Sequence, residues 1–256
     1  MLESLQGRLI FGRTTVIRPL RPGPHAGGYR VEAHRLARPD GAMLEGWSST
    51  PLDGPAAGAL LYFGGRNENV VWAADMASFN PGWAVHAFNY RGFGGSTGRA
   101  SERRAKADAR AVLDFVAERA PAAELAIVGR SLGTAVALWL AREARPRRLV
   151  LLSPFESVPA VLRTRPLGGV GARLVTQRFD CGALAAAHAG ETLVLLAEDE
   201  DTIPHAQSRR LRARLPGPST LQAIAGTTHR TLPRSEGAQR AIAAFLGRPL
   251  DAQGSV

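Results

Sequence analysis

The feature that most constrains this chain is a strand-turn-helix pattern with a serine in the turn. Leu125 to Val128 form a short apolar run that predicts a buried strand, and Leu132 to Ala141 predict a largely apolar helix. Ser131 stands between them, and Gly129 and Gly133 flank it two positions away on either side. A turn this tight accepts only small residues there, because larger side chains would collide with the adjoining strand and helix. The pattern predicts a nucleophile elbow that lifts the Ser131 hydroxyl above the edge of a sheet.

From Gly58 onward, apolar runs alternate with helical stretches, which is typical of a mostly parallel central sheet with helices on both faces. The predicted strands are Ala59 to Phe63, Ala84 to Asn89, Leu125 to Val128, Arg148 to Leu152, Thr192 to Ala197 and Thr220 to Ile224. The predicted helices are Val70 to Phe79, Glu102 to Arg119, Leu132 to Arg145, Ala206 to Leu215 and Ser235 to Leu246. The fold class is therefore α/β, and ligands are expected at the carboxyl edge of the sheet.

Residues 1–57 differ from this pattern and predict an antiparallel N-terminal edge. Strand-like patches occur at Leu9 to Phe11, Thr14 to Ile17 and Tyr29 to His34. The turn signal Pro39-Asp40-Gly41 precedes Met43 to Trp47, which predicts the returning strand of a hairpin.

Residues 154–190 interrupt the alternation of strands and helices. They contain several prolines and the run Gly168-Gly169-Val170-Gly171, and they are too few to form a domain of their own. We therefore expect a single domain over residues 1–256, with a small cap insertion at 154–190 above the carboxyl edge of the sheet.

The charge of the chain bears on its partners. The formal net charge is +10, and Lys106 is the only lysine among 32 basic residues. Such a balance suits nucleic acid, an anionic membrane surface or acidic substrates. The arginines are spread along the whole chain in short pairs without interleaved aromatic residues, which is typical of a solvated surface. We expect no nucleic-acid partner.

Other compositional features bear on the location and on metals. No apolar run reaches the roughly eighteen residues that a membrane span needs, and residues 1–12 lack the basic-then-apolar order of a signal peptide. The expected location is cytoplasmic, with no membrane span. The single cysteine, Cys181, excludes an internal disulfide and a multi-cysteine zinc site. Neither a cofactor nor a metal is expected.

A serine hydroxyl needs a base to accept its proton, usually a histidine that a carboxylate orients. His229 follows the last predicted strand and precedes the last predicted helix, which puts it at the same sheet edge as Ser131. His205 follows Pro204 in the preceding loop and is the main rival for this role.

The carboxylate is expected directly after the strand Thr192 to Ala197, in a run of four acidic residues. These are Glu198, Asp199, Glu200 and Asp201. Four adjacent carboxylates repel one another, which is unfavourable. A functional site that needs an anion beside a histidine would explain the presence of at least one of them. Glu156, which follows the preceding strand, is a second possible position. The chain order serine, acid, histidine is that of α/β-hydrolases.

The oxyanion that forms when Ser131 attacks a carbonyl needs two backbone amides directed at it. Leu132 follows the nucleophile and can supply one of them. The other is expected from the loop Gly64-Gly65-Arg66-Asn67, where glycines let the main chain approach a substrate closely.

The chain resembles the α/β-hydrolases, and more narrowly the branch that contains depalmitoylase-like and serine-aminopeptidase-like proteins. The matching segments are Asp40-Gly41, Gly46-Trp47, Tyr62 to Asn69, Asn89 to Gly98, Gly129 to Ala137, Ser153 to Ser157, Arg178 to Asp180, Ile203-Pro204 and His229. The resemblance implies an α/β-hydrolase fold and a triad of Ser131, an acid and His229. It also implies an oxyanion hole from the amides of Arg66 and Leu132.

The chain departs from this family at three places. Relatives carry His-Gly-Asn where this chain has Gly64-Gly65-Arg66, and an aspartate where it has Asn89. Counting back from Pro204 without a gap places the family's acid on Glu200, ahead of Asp201 and Asp199.

Together these observations predict a serine hydrolase that cleaves carboxylic ester or thioester bonds through an acyl-enzyme on Ser131, with a small-molecule or acylated substrate. Two alternatives remain open. One is an aminopeptidase or amide hydrolase, and the other is an α/β-hydrolase scaffold without catalytic activity.

Overall fold

The fold is built on a nine-stranded sheet. This computed structural model describes residues 2–12, 22–25, 27–120, 124–165 and 168–247. It does not describe the side chains of residues 2–5, 8 and 24. The strands are β1 (Gly23–His25), β2 (Tyr29–Ala37), β3 (Met43–Pro51), β4 (Gly58–Phe63), β5 (Trp83–Phe88), β6 (Glu124–Arg130), β7 (Arg148–Leu152), β8 (Glu191–Asp199) and β9 (Ser219–Thr228). Their order is β1-β2-β3-β5-β4-β6-β7-β8-β9.

The pairing of the strands confirms the predicted sheet. Strands β1, β2, β3 and β5 pair antiparallel, and every pair from β5 through β4 to β9 is parallel. The predicted hairpin and the antiparallel N-terminal edge are therefore correct. The six strands predicted after Gly58 are all present, with their ends moved by a few residues at most.

Helices cover both faces of the sheet, as predicted. They are α1 (Leu2–Phe11), α2 (Glu102–Arg119), α3 (Leu132–Ala144), α4 (Val158–Arg163), α5 (Gly168–Leu174), α6 (Cys181–Ala185), α7 (His205–Arg212) and α8 (Glu236–Leu246). Two 3₁₀ segments span Val70–Ser78 and Leu232–Arg234. One core cluster packs α2, α3, α6 and α7 on one face, and the other packs the first 3₁₀ segment and α8 on the opposite face.

Helix α2 shows how the sequence pattern produces this packing. The Ser101 side chain accepts a hydrogen bond from the amide of Arg104 and caps the start of the helix. Ala105, Ala109 and Val112 recur at helical spacing and are all buried against the sheet.

The N-terminal prediction is wrong in part. Leu9 to Phe11, predicted as a strand, are the last turn of helix α1. The three adjacent apolar residues fit either conformation, and tertiary packing decides between them, because Phe11 is buried against Tyr90 and Phe179. The patch Thr14 to Ile17 lies outside the described residues.

The segment between β7 and β8 carries three short helices, α4, α5 and α6, in place of a single crossover helix. Among the described residues, no helix is both long enough and apolar enough to cross a membrane.

Strand β5 carries a buried histidine that makes the stability of the fold depend on pH. His86 is 3% exposed, and neither ring nitrogen has a hydrogen-bond partner among the described residues. Burial lowers its pKa from 6.5 to about 4, with smaller contributions from the nearby charges of His34 and Arg119.

We expect the free energy of unfolding to fall as the pH decreases from 6.5 to 4. The unfolded chain binds a proton at residue 86 in this range, whereas the folded chain does not, so acid favours unfolding by up to about 2 to 3 kcal/mol. Urea titrations of the wild type and of His86→Leu at pH 7 and pH 4.5 measure the difference. The variant should lose less stability on acidification, and an equal loss in both proteins would contradict the assignment.

Candidate active site

The turn after β6 holds Ser131 in a strained conformation above the sheet edge. Its φ is +50° and its ψ is −118°, a combination that non-glycine residues rarely adopt. The amide of Ser131 donates to the carbonyl of Leu152 at the end of β7, at 2.8 Å, which anchors the turn to the neighbouring strand. The hydroxyl is therefore presented at the carboxyl edge, where the sequence pattern predicted it.

The two flanking glycines are needed for steric reasons. A Cβ atom on Gly129 would lie 2.6 Å from the carbonyl oxygen of Gly133, and one on Gly133 would lie 2.0 Å from the carbonyl oxygen of Phe63. Neither position can accept a side chain unless backbone atoms move. The turn thus depends on both glycines.

The loop after β9 brings His229 to the serine. Its Nε2 lies 3.0 Å from Oγ of Ser131, although 98 residues separate the two in sequence. The rival His205 lies elsewhere, because its Nε2 contacts the carbonyl oxygen of Ala197 at 2.7 Å. The structure thus brings His229, and not His205, into contact with Ser131.

The loop after β8 completes a chain of three side chains. Oε1 of Glu200 lies 2.8 Å from Nδ1 of His229, at ion-pair distance. The N–H of Nδ1 does not point straight at this oxygen. Asp199 is exposed, and Oδ1 of Asp201 accepts a hydrogen bond from its neighbour Thr202. Glu156, the other possible acid, pairs with Arg210 at 2.7 Å. The structure therefore brings only Glu200 of these acids to His229.

Several donors hold the Glu200 carboxylate in place. Oε2 accepts from the hydroxyl of Ser153 at 2.6 Å, and Oε1 accepts from the amides of Thr202 and Ile203, each at 3.0 Å. Burial by itself raises the pKa of Glu200, but the contacts with His229, Ser153 and the amide of Ile203 outweigh it and lower the pKa to about 2. Glu200 is consequently an anion at neutral pH.

The loop after β4 passes close to Ser131. Arg66 and Leu132 both border the same cavity as Ser131 and His229. The amide of Leu132 is in the first turn of α3, where no carbonyl of the helix can accept from it. In the described chain no acceptor contacts the amide of Arg66 either, which leaves both amides able to bind an oxyanion.

The structure gives a reason why this chain has Gly64 where relatives have histidine. A Cβ atom at Gly64 would lie 2.6 Å from Cγ1 of Val70 and 3.3 Å from the carboxylate of Glu68. These side chains fill the space that a larger residue would need.

Two buried residues that the sequence reasoning missed join the loops around the site. Oε2 of Glu68 accepts from the amide of Gly65 at 2.6 Å and from Nη1 of Arg130 at 3.1 Å. Nη2 of Arg130 donates to the carbonyl oxygen of His229 at 2.8 Å. Glu68 and Arg130 both belong to the motifs that carry the family resemblance, which was the available signal. Together they connect the loop after β4, the elbow and the loop that carries His229.

We expect Glu68→Gln to lower kcat by about 10- to 100-fold, because small displacements of positioned groups cost about this much. The other oxygen, Oε1, accepts from the Tyr62 hydroxyl and from the Trp72 indole, so an amide at position 68 must turn its NH₂ group towards a donor. Initial rates over a range of substrate concentrations separate kcat from KM.

The matched control is Glu45→Gln, since Glu45 accepts from the amide of Gly95 in another loop, at 2.6 Å. This substitution should lower stability while kcat of the folded protein stays near the wild-type value. Equal losses of kcat in both variants would show that Glu68 acts on stability alone.

Ser131 and His229 open into a cavity of about 710 Å³, within the range of small-molecule sites. Apolar side chains from α1, α4 and α5 and from the residues that follow α5, β7 and β8 form most of its wall. These are Leu9, Ile10, Phe155, Val158, Val161, Leu162, Leu174, Val175 and Ile203. Three arginines, Arg66, Arg130 and Arg165, also line the cavity. Among the described residues, no group of three or more His, Cys, Asp and Glu side chains could hold a metal ion.

Helix α1 closes one side of this cavity, a contribution that the sequence did not indicate. The amide of Asn67 donates to the carbonyl oxygen of Phe11 at 3.0 Å, and Nε of Arg66 donates to that of Leu9 at 3.2 Å. The side chain of Gln6 donates to the carbonyl oxygen of Leu174 at the end of α5, at 3.0 Å. Helix α1 thereby bridges the loop after β4 and α5.

Comparisons with known proteins bear on the family and the fold of this chain. A family model described as "Serine aminopeptidase, S33" matches residues 54–180. An uncharacterised protein of Mycobacterium tuberculosis (strain H37Rv) is 33% identical over 195 residues, which cover 74% of this chain and 69% of that protein. The lysophosphatidylserine lipase ABHD12 of Gallus gallus is 40% identical over 90 residues, which cover 33% of this chain and 24% of the lipase.

Among solved structures, the acetyl xylan esterase from Paenibacillus sp. R4 superposes with a TM-score of 0.69 at 19% identity, over 88% of this chain and 86% of the esterase. At this identity the likeness shows the fold, which is the α/β-hydrolase fold. The strand order, the elbow after β6 and the family model agree with it. This chain belongs to the α/β-hydrolase superfamily, in the branch of the serine-aminopeptidase-like S33 hydrolases.

Proposed function

We propose that this α/β-hydrolase cleaves carboxylic esters or thioesters through an acyl-enzyme on Ser131. The observation that carries the proposal is the chain of contacts from Ser131 through His229 to Glu200, which opens on a largely apolar cavity.

In the proposed reaction, Oγ of Ser131 attacks the acyl carbonyl while Nε2 of His229 accepts its proton. The amides of Arg66 and Leu132 donate to the oxyanion of the tetrahedral intermediate. When the intermediate collapses, His229 returns the proton to the departing alcohol or thiol. Water then attacks the acyl-enzyme with His229 again as base, and the carboxylic acid leaves as Ser131 regains its proton.

The lining of the cavity favours an apolar acyl group. Helices α4 and α5, which form part of the cavity wall, belong to residues 154–190. We propose that residues 154–190 form a cap within a single domain. The solved structures most like this one include esterases, and the name of ABHD12 describes a lipase, so ester cleavage has precedents on this fold.

The alternative of aminopeptidase activity has support in the description of the family model. An aminopeptidase must bind the protonated α-amine of its substrate, for which a carboxylate is the usual partner. In the described part of the chain the cavity is lined by three arginines and by no aspartate or glutamate. Its charge therefore favours neutral or anionic acyl substrates over peptides with a free amine.

A test compares turnover of p-nitrophenyl esters of graded acyl length, an acyl thioester and an aminoacyl p-nitroanilide. We expect cleavage of the esters and the thioester, and the most efficient cleavage for acyl chains longer than acetyl. A protein that cleaves the anilide faster than all the esters would be an aminopeptidase. A protein that turns over none of them and does not react with a fluorophosphonate would be the inactive scaffold.

A further inference from the structure

Three large apolar side chains are exposed on α1 and α5, two helices that form walls of the cavity. Leu9 is 66% exposed, Val170 is 67% exposed and Leu174 is 68% exposed. In the described residues only two other large apolar side chains are exposed, Leu52 at 41% and Phe79 at 37%. We refer to Leu9, Val170 and Leu174 as the mouth patch.

The members of the mouth patch belong to two helices in contact. Leu9 and Leu174 both line the cavity, and the hydrogen bond from Gln6 to the carbonyl of Leu174 joins α1 to α5. Val170 precedes Leu174 by four residues in α5, so the two side chains share one face of that helix. The patch is therefore continuous with the apolar wall of the cavity.

Four arginines, on α4, on α5 and in the loops after α4 and β4, have no ion-pair partner among the described residues. Arg66 and Arg165 line the cavity, and Arg163 and Arg173 are exposed on α4 and α5. Within the described ranges none of these four forms a salt bridge, whereas other exposed arginines do, such as Arg110 with Asp114. Proteins bind lipid interfaces by burying apolar side chains and by electrostatic attraction to anionic headgroups. An apolar patch beside unpaired arginines provides both interactions.

We propose that this face docks on an anionic phospholipid surface, with the mouth of the cavity against the lipid. The orientation rests on the proposed function, because it lets an acyl chain move from the lipid into the cavity without crossing water. Docking itself does not depend on catalysis. A second copy of the chain fits this face poorly, since a two-fold axis would place the arginines of one copy against those of the other.

Flotation of the Ser131→Ala protein with vesicles tests the docking without turnover. We expect binding to vesicles of equal parts phosphatidylcholine and phosphatidylglycerol, at least about tenfold tighter than to phosphatidylcholine alone, and weaker at high salt. Absence of binding to both, or equal binding to both, would overturn the proposal. A concentration-dependent dimer that Val170→Asp abolishes, without vesicle binding, would assign the face to self-association instead.

Two variants and two matched controls locate the docking face. Val170→Asp and the double variant Arg163→Gln with Arg173→Gln should each weaken binding to the anionic vesicles about tenfold. Leu52→Asp, at another exposed leucine, and Arg30→Gln with Arg35→Gln on the antiparallel edge should bind like the parent. Equal losses in the controls would show that net charge, and not this face, carries the binding.

Turnover of a water-soluble ester separates this proposal from the proposed function. With Ser131 present, Val170→Asp and the arginine variant should hydrolyse p-nitrophenyl acetate at the wild-type rate, which also shows that they are folded. Wild-type protein that binds anionic vesicles but cleaves no ester would overturn the proposed function and leave the docking face in place. Wild-type protein that cleaves esters but binds no vesicle would overturn the docking proposal and leave the proposed function in place.

Discussion

Ser131→Ala is expected to lower kcat for p-nitrophenyl butyrate by about 10⁶-fold, as loss of the nucleophile does in other serine hydrolases. The hydroxyl is the only group in the elbow that can form the acyl bond, and the imidazole of His229 is 3.0 Å from it. Any residual rate would come from water held in the cavity near the oxyanion amides. Steady-state kinetics and labelling by a fluorophosphonate probe measure the effect.

Stability should change little in this variant, because alanine fits the same backbone conformation and Oγ contacts the protein only at His229 among the bonds described. Ser49→Ala is a suitable control, since Ser49 is buried in β3 and its hydroxyl has no partner in the described structure. The control should keep full activity and full labelling. Persistent labelling of Ser131→Ala would mean that another residue is the nucleophile.

Glu200→Gln is expected to lower kcat by about 10⁴-fold with a much smaller change in KM. The amides of Thr202 and Ile203 donate to the oxygen that faces Nδ1 of His229, so a glutamine that keeps its oxygen there offers His229 only a neutral acceptor. A glutamine that turns its NH₂ group there leaves those two amides without their acceptor and favours the tautomer with a proton on Nε2, which cannot accept the proton of Ser131. The loss of the anion also removes the charge that stabilises the imidazolium in the transition state.

The neighbouring carboxylates provide matched controls for this prediction. Asp199→Asn and Asp201→Asn each remove one negative charge within one residue of Glu200, but neither side chain contacts His229. Both variants should keep kcat within about threefold of the wild type, as exposed charges have small effects. A large loss in Asp201→Asn, together with an active Glu200→Gln, would transfer the role of the acid to Asp201.

Much of the fold was predictable because local patterns report on the backbone. The apolar runs and the helical spacing gave the order of strands and helices, since strands and helices place side chains with different periods. The elbow was predictable because its steric demand falls on two residues, Gly129 and Gly133, that lie within the motif itself. Helix α1 was missed because three adjacent apolar residues, Leu9 to Phe11, have no period of their own.

For the site, the sequence predicted which loops meet but not which acidic side chain reaches His229. The sequence by itself determined that a serine, an acidic loop and His229 follow three strands whose carboxyl ends meet at one edge of a sheet. Only the spacing to Pro204 in the family resemblance put Glu200 ahead of Asp199 and Asp201. Residue patterns could not separate the three, because adjacent residues of a loop share the same position in the fold and differ only in the direction of their side chains. Only the tertiary structure decided that direction, through the hydrogen bonds from Ser153, Thr202 and Ile203.

Tertiary structure alone also decided what surrounds the nucleophile. Glu68 and Arg130 are 62 residues apart, and their contact depends on how β4 and β6 pair in register. The walls of the cavity come from α1, α4 and α5, which the parallel-sheet pattern does not predict. The physical reason is that a sequence pattern reports which face of an element is apolar, whereas packing between distant elements determines what that face meets.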